Sequence, residues 1–138
     1  MITGINHITL SVTDLDKSFA FYRDVLMFQP VQKSPISACL LAGRAWIALI
    51  HDDCENLKPL KEYSHIAFNI APEDFQSMKG RIVESGVIEW NENKTEGDSF
   101  YFLDPNGHKI EVHCTDIYAR IGYGKKKLGK RYNLVCLK

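Results

Sequence analysis

Two segments of the chain alternate polar and apolar residues on the same plan. Asn6-His7-Ile8-Thr9-Leu10 and Ser64-His65-Ile66-Ala67-Phe68 each place a histidine at the head of an alternating run. In the first, His7, Thr9 and Ser11 fall on one face and Ile8, Leu10 and Val12 on the other. In the second, His65, Ala67 and Asn69 oppose Ile66, Phe68 and Ile70. A period of two predicts strands with one buried and one polar face. A helical period follows each strand. Leu15, Phe19, Tyr22 and Leu26 predict a helix over about Asp14 to Val25, with Thr13 and Asp16 as a variant capping box. Pro72 suits the first turn of a second helix, Phe75, Met78 and Ile82 form its apolar stripe, and Gly86 marks its end.

Three short strands complete each half, around 28–33, 37–42 and 45–51, then around 87–91, 99–103 and 108–114. The last two are joined by Asp104-Pro105-Asn106-Gly107, a strong turn signal. Each half reads βαβββ, an α+β plan repeated within a single domain, with halves at about 1–58 and 59–123. The polar, proline-bearing stretch from Glu55 to Glu62 reads as a short connection, and the basic tail 124–138 fits neither half.

At 138 residues the chain suits one compact domain or two small halves sharing a core. Lys+Arg equals Asp+Glu at 17 each, which gives no electrostatic argument for nucleic acid or an anionic membrane as partner. No apolar run approaches a membrane span, and Met1-Ile2-Thr3-Gly4 lacks the regions of a signal peptide, so a cytoplasmic location is expected. Cys39, Cys54, Cys114 and Cys136 are irregularly spaced with no CxxC, and read as isolated reduced thiols.

Superposing the halves brings out candidate chemistry. Lys109, Glu111 and His113 share one face of the last strand, and Trp46-Ile47-Ala48-Leu49 matches Lys109-Ile110-Glu111-Val112. The position matching Glu111 is therefore Ala48, which cannot ligate. The repeat offers His7, His65 and Glu111 with the fourth place empty. A lone strand histidine is more often structural. Two at matching places, joined by a carboxylate, favour a divalent metal with open positions at which a substrate can be polarised. His113 lies two residues from Glu111, either beside the site or merely exposed. His51 and His108 fall at strand ends and receive no role.

These residues resemble the fosfomycin-resistance branch of the vicinal-oxygen-chelate superfamily, which also holds glyoxalase I and ring-cleaving dioxygenases. The resemblance runs from Ile2 to about Tyr123. It rests on Gly4-Ile5-Asn6-His7-Ile8-Thr9, on Tyr63-Ser64-His65-Ile66-Ala67-Phe68, and on the run from Tyr101 to His113. The loop Asn93-Lys94-Thr95-Glu96-Gly97-Asp98-Ser99 is the most discriminating piece. The resemblance implies paired βαβββ modules in a domain-swapped homodimer, with His7 from one subunit and His65 and Glu111 from the other holding Mn²⁺. It implies that Thr9 attends the attacking thiol, and that Thr95, Ser99, Tyr101 and Arg120 contact a phosphonate. It further implies that Asn93, Thr95, Glu96, Gly97 and Ser99 hold K⁺. The implied activity is addition of a thiol, commonly glutathione, to the epoxide of fosfomycin, conferring antibiotic resistance. A metal ion and hydroxyl and guanidinium donors suit an anionic substrate whose epoxide oxygen becomes an alkoxide.

Two departures stand out. The family's phosphonate-contacting Lys before the loop aligns with Asn91, and its active-site Tyr aligns with Cys39. Lys94 and Arg44 lie nearby in sequence. The alternatives are a fosfomycin epoxide hydrolase or another vicinal-oxygen-chelate enzyme, and a non-catalytic drug-sequestering protein. The intact His7, His65 and Glu111 set opposes the last. Related hydrolases activate water with a Glu that aligns with Arg44 here, and a guanidinium cannot be that base. A thiol needs less help, its pKa being near 8.5.

Overall fold

The computed structural model describes residues 1–54 and 61–131. It contains two four-stranded mixed sheets of the same design. The first half runs β1 (His7–Val12), α1 (Leu15–Ala20), β2 (Gln29–Lys33), β3 (Ser37–Ala42) and β4 (Ala45–His51). The second runs β5 (Ile66–Asn69), α2 (Phe75–Glu84), β6 (Glu89–Asn91), β7 (Ser99–Leu103) and β8 (Lys109–His113). The sheet orders are β1-β4-β3-β2 and β5-β8-β7-β6, with β1 parallel to β4 and β5 parallel to β8. The α+β repeat expected from the alternation is therefore present, strand for strand. The connection 55–60 and residues 132–138 lie outside the described residues.

The register makes the repeat quantitative. One row across the first sheet reads Thr9–Ala48–Cys39–Gln32. The same row across the second reads Ala67–Glu111–Tyr101–Asn91. Even the irregularities repeat: the β2–β3 pairing slips between Pro30 and Gln32, and the β6–β7 pairing slips between Glu89 and Asn91. Each slip is a bulge in the outermost strand, which bends that strand and raises its twist.

The helices depart from expectation in detail. Asp14, not Thr13, caps α1, accepting from Lys17 N at 2.9 Å. Thr13 instead donates its backbone N–H and hydroxyl to the Asn106 side chain. The expected single helix is α1 followed by a wider π turn over Phe21–Val25, which turns both Phe21 and Tyr22 inward. The second helix opens with a tight 3₁₀ turn at Pro72–Asp74 before α2. A third helix, α3 (Ile117–Leu128), crosses the boundary at 123 where the sequence suggested a separate tail. Asp116 caps it, accepting from Ala119 N at 2.9 Å.

The halves share one core. Leu10, Val12, Tyr22, Leu40, Ile47 and Leu49 from the first cluster with Phe75, Ile82, Phe100, Phe102, Ile110 and Val112 from the second. Phe28 meets Phe68 edge-on at 5.0 Å between ring centroids, and Phe21 meets Phe102 at 6.3 Å. A polar network reinforces the join. Asp104 Oδ2 accepts from the buried Tyr22 hydroxyl at 2.7 Å, and its Oδ1 accepts from Asn106 N and His108 N. Asn106 Nδ2 donates to Ser18 Oγ, and His108 Nε2 meets Ser11 O at 2.7 Å. His108, given no role from sequence, thus ties the β7–β8 turn to the first half. Burial first, then the Asp104 charge, raises the Tyr22 hydroxyl well above its ordinary pKa.

Candidate metal centre

The second sheet gathers its chemistry on one face. Cross-strand pairing sets Ser99 opposite His113 and Tyr101 opposite Glu111. Ala67 flanks Glu111 on the other side, and the small side chain there leaves the carboxylate uncovered by its neighbour on β5. Glu111 is 6% exposed, more deeply buried than a polar strand face would suggest. A buried carboxylate requires partners, and it has them. Ser99 Oγ donates to Glu111 Oε1 at 2.7 Å, and His65 Nε2 stands 2.8 Å from Glu111 Oε2.

His65 is in an unusual position. Its Nδ1 faces the Tyr63 carbonyl at 2.9 Å. A carbonyl oxygen only accepts, so the ring proton belongs on Nδ1 and the Nε2 lone pair is aimed at the carboxylate. Two electron-pair donors pointed at each other from 2.8 Å are stabilised by a cation, either a proton on Nε2 or a metal ion. Imidazole nitrogen with carboxylate oxygen is also the donor chemistry of a catalytic divalent metal. His65 and Glu111 therefore fit a metal ion. The backbone carbonyl on Nδ1 supplies the usual outer partner of a ligating histidine.

Around this pair stand Tyr63, Trp90 and Tyr101, with ring centroids 5.2, 5.4 and 5.9 Å from His65. Tyr63 and Trp90 carry no signal of such a role in the sequence. Burial first, then the Glu111 charge, pushes the Tyr101 phenol above its ordinary pKa, so it stays a hydrogen-bond donor at neutral pH. Asn91 Nδ2 donates to the Tyr63 hydroxyl at 3.4 Å. Asn91 and Lys94 line one cavity of about 510 Å³ with Trp90. Cys39 occupies the place in the first sheet that Tyr101 holds in the second, and Arg44 is exposed in the tight β3–β4 turn.

The loop 93–99 is tightly organised. Asn93 Oδ1 accepts from both Thr95 N and Thr95 Oγ1, and Asn93 Nδ2 donates to Gly97 O at 2.8 Å. Gly97 has a φ of 69°, and a Cβ there would strike the methyl of Thr115. Only glycine meets both conditions without strain. Glu96 turns its carboxylate inward, both oxygens buried and without a hydrogen-bond partner among the described residues. Arg120 on α3 brings Nε within 3.0 Å of Glu96 Oε1 as an ion pair outside hydrogen-bond geometry. A buried carboxylate without a hydrogen-bond partner, in a loop that also carries amide and hydroxyl oxygens, suits a hard cation.

His7 and Thr9 are the site candidates that lie elsewhere. Both are exposed on β1, where His7 packs on Trp46 at 4.5 Å and donates from Nδ1 to Asn6 Oδ1 at 2.7 Å. Among the described residues no group of three or more His, Cys, Asp or Glu is placed to hold a metal ion. One chain thus brings together His65 and Glu111 but not His7. Ser99 is also committed: donating to a phosphonate would require it to give up Glu111. Cys39, Cys54 and Cys114 are free thiols, and Cys136 lies outside the described residues. No described helix is long and apolar enough to cross a membrane.

The chain is similar to known proteins. Residues 4–112 match the profile of the Glyoxalase/Bleomycin resistance protein/Dioxygenase superfamily. The chain is 40% identical over 129 residues to the glutathione transferase FosA of Serratia marcescens, covering 92% of each. It is 36% identical to the metallothiol transferase FosB of Staphylococcus haemolyticus, covering 91% of this chain and 94% of the relative. The crystal structure of the genomically encoded fosfomycin resistance protein FosX of Listeria monocytogenes superposes with a TM-score of 0.76 at 32% identity, over 88% of this chain and 98% of that one. A mutant of that Listeria protein has been crystallised with Mn(II) and 1S,2S-dihydroxypropylphosphonic acid. With its two matched sheets and the profile spanning both, the chain belongs to the glyoxalase/bleomycin resistance protein/dioxygenase superfamily.

Proposed function

We propose that the protein is a metal-dependent transferase that adds a thiol, glutathione foremost, to the epoxide of fosfomycin and so confers resistance to it. The observation that carries this reading is the convergence of His65 Nε2 and Glu111 Oε2 at 2.8 Å beneath Tyr63, Trp90 and Tyr101. The 40% identity to a glutathione transferase over nearly the whole chain supports it.

In this reading His65 and Glu111 hold Mn²⁺ together with His7 from a second copy of the chain. When bound, the ion stabilises negative charge developing on the epoxide oxygen. Arg120 and Tyr101 grip the phosphonate, Arg120 with its Nη edge and Tyr101 with a phenol that remains protonated. Thr95 and Ser99 border the same space. Asn93, Thr95, Glu96, Gly97 and Ser99 form a K⁺ loop in which the Glu96 carboxylate, ion-paired to Arg120 but without a hydrogen bond among the described residues, gains a second cation. Thr9 orients the thiol, and the dimer brings it with His7 to the partner's sheet. The exposed Ile2, Ile5, Trp46 and Ile50 supply apolar surface near β1 and β4 for that contact.

The deciding assay supplies fosfomycin with Mn²⁺ and K⁺ and either glutathione, L-cysteine, bacillithiol or no thiol, and reads products by mass spectrometry. The expected product is the glutathione adduct. Diol in the thiol-free control would make the protein a hydrolase, and unchanged drug that co-purifies with it would make it a sequestering protein.

A further inference from the structure

His113 faces the metal-ligand side of β8 two residues beyond Glu111, yet its surroundings differ from those of His65 in one respect. Both polar partners of the His65 ring, the Tyr63 carbonyl and the Glu111 carboxylate, accept. The neighbours of His113 can all be satisfied at once by a neutral ring. Its Nδ1 meets Ser99 Oγ and lies 3.2 Å from Glu111 Oε1, and its Nε2 meets Thr115 Oγ1. The single Ser99 proton points to Glu111, a group that only accepts. Ser99 Oγ must then accept from His113, which places the ring proton on Nδ1. That same proton faces Glu111 Oε1, where a lone pair would be repelled. Nε2 is left to accept from the Thr115 hydroxyl.

We propose that His113 is a positioning residue that holds Ser99, and through it Glu111, in the orientation that presents Oε2 for metal binding. This rests on the metal reading above. The chain Thr115–His113–Ser99–Glu111 saturates Oε1 and leaves Oε2 opposite His65. It begins at the loop 93–99, because the Thr115 methyl is packed against Gly97. The position of that loop is thereby communicated to the Glu111 carboxylate through three hydrogen bonds. His113 is not itself a ligand, since its proton is on the nitrogen nearest the carboxylate.

The test is Mn²⁺ binding by calorimetry to the purified protein without substrate, with the Mn(II) electron paramagnetic resonance spectrum as a second readout. His113→Leu removes both ring nitrogens and is expected to weaken Mn²⁺ binding about 10–100-fold, the usual effect of losing a partner of a ligand. His113→Asn keeps a donor near the Nδ1 position and should recover most of that loss and the wild-type spectrum. Ser99→Ala should weaken binding comparably, and adding His113→Leu to it should cost little more, because the two act in series. Glu111→Gln serves as the reference. If wild type and Glu111→Gln bind Mn²⁺ equally, the metal reading fails, whatever His113 does. If Glu111→Gln loses binding while His113→Leu keeps wild-type affinity and spectrum, the positioning role is overturned. Should His113→Leu fold poorly, the Ser99→Ala and His113→Asn pair decides. Wild-type binding by Ser99→Ala, or Leu-like binding by a folded His113→Asn, overturns it.

Discussion

The two sheets have the same order, the same register and the same bulge, yet in this chain one brings an imidazole and a carboxylate together and the other does not. Along equivalent rows the first sheet presents Thr9, Ala48, Cys39 and Gln32, and the second presents Ala67, Glu111, Tyr101 and Asn91. His7 heads one row of strands and His65 the other. His65 finds a carboxylate at 2.8 Å, whereas His7 finds only Asn6 and the Trp46 ring. The backbone plan is thus indifferent to function. The side chains set on that plan, Glu111 in the place of Ala48 foremost, decide which half gathers donors.

The sharpest way to break the comparison is to make the rows more alike. Glu111→Gln keeps the shape and removes the charge. It is expected to abolish turnover and strongly weaken Mn²⁺ binding, read by calorimetry and by loss of fosfomycin; unchanged metal content with full activity would sink the assignment of Glu111 as a ligand. The next effect probes whether the two unequal rows meet across a dimer. An inactive His7→Ala chain mixed with an inactive Glu111→Ala chain should restore roughly a quarter to a half of the sites. Verified heterodimers without activity would mean that His7 and Glu111 serve one chain's site. Arg120→Ala should reduce kcat/KM for fosfomycin by about 1.5–3 kcal/mol, the scale of a lost charge-assisted contact. Wild-type kinetics would leave Arg120 as only the partner of Glu96.

A smaller effect tests what joins the halves. Tyr22→Phe leaves Asp104 Oδ2 without its donor and should destabilise the fold by about 1–3 kcal/mol in urea unfolding. It should also change the alkaline limb. The folded state holds the Tyr22 proton more tightly than the unfolded chain does, so stability is fully present below the ordinary tyrosine pKa of about 10 and declines as pH rises beyond it. The variant should show a shallower decline above that point. An identical slope would assign the alkaline loss to other groups, Tyr101 among them.

The strands were legible because alternation over β1 and β5 is clean, and the repeat because a histidine marks the same place in each. The equivalence of Glu111 and Ala48 was legible from the match of β8 to β4, and the register shows it. Other features depend on partners that a linear pattern does not pair. The π turn at Phe21–Val25 leaves no mark in the linear pattern, because the spacing of Leu15, Phe19, Tyr22 and Leu26 fits a regular helix equally well. α3 carries its apolar residues loosely spaced among glycines and lysines, so its period is weak, although Asp116 gives a usable cap signal. His113 has a role only because Ser99 stands opposite it on β7, and His108 only because Ser11 does so from 97 residues away. The Thr13-Asp16 pattern pointed to a cap one residue early, since Thr13 was claimed by Asn106.

The paired bulges have a consequence outside the site. An edge strand is an invitation to another chain, because its outward N–H and C=O groups are unpaired. β2 carries Pro30, which has no N–H to offer, and its pairing slips just beyond it. β6 is only three residues long and slips at the equivalent point. Both outer edges are therefore poor templates for strand addition, and the same bend protects each. β1 and β5 have ladders to β4 and β8 that run without a slip, and the outward edge of β1 is met at the Ser11 carbonyl by His108.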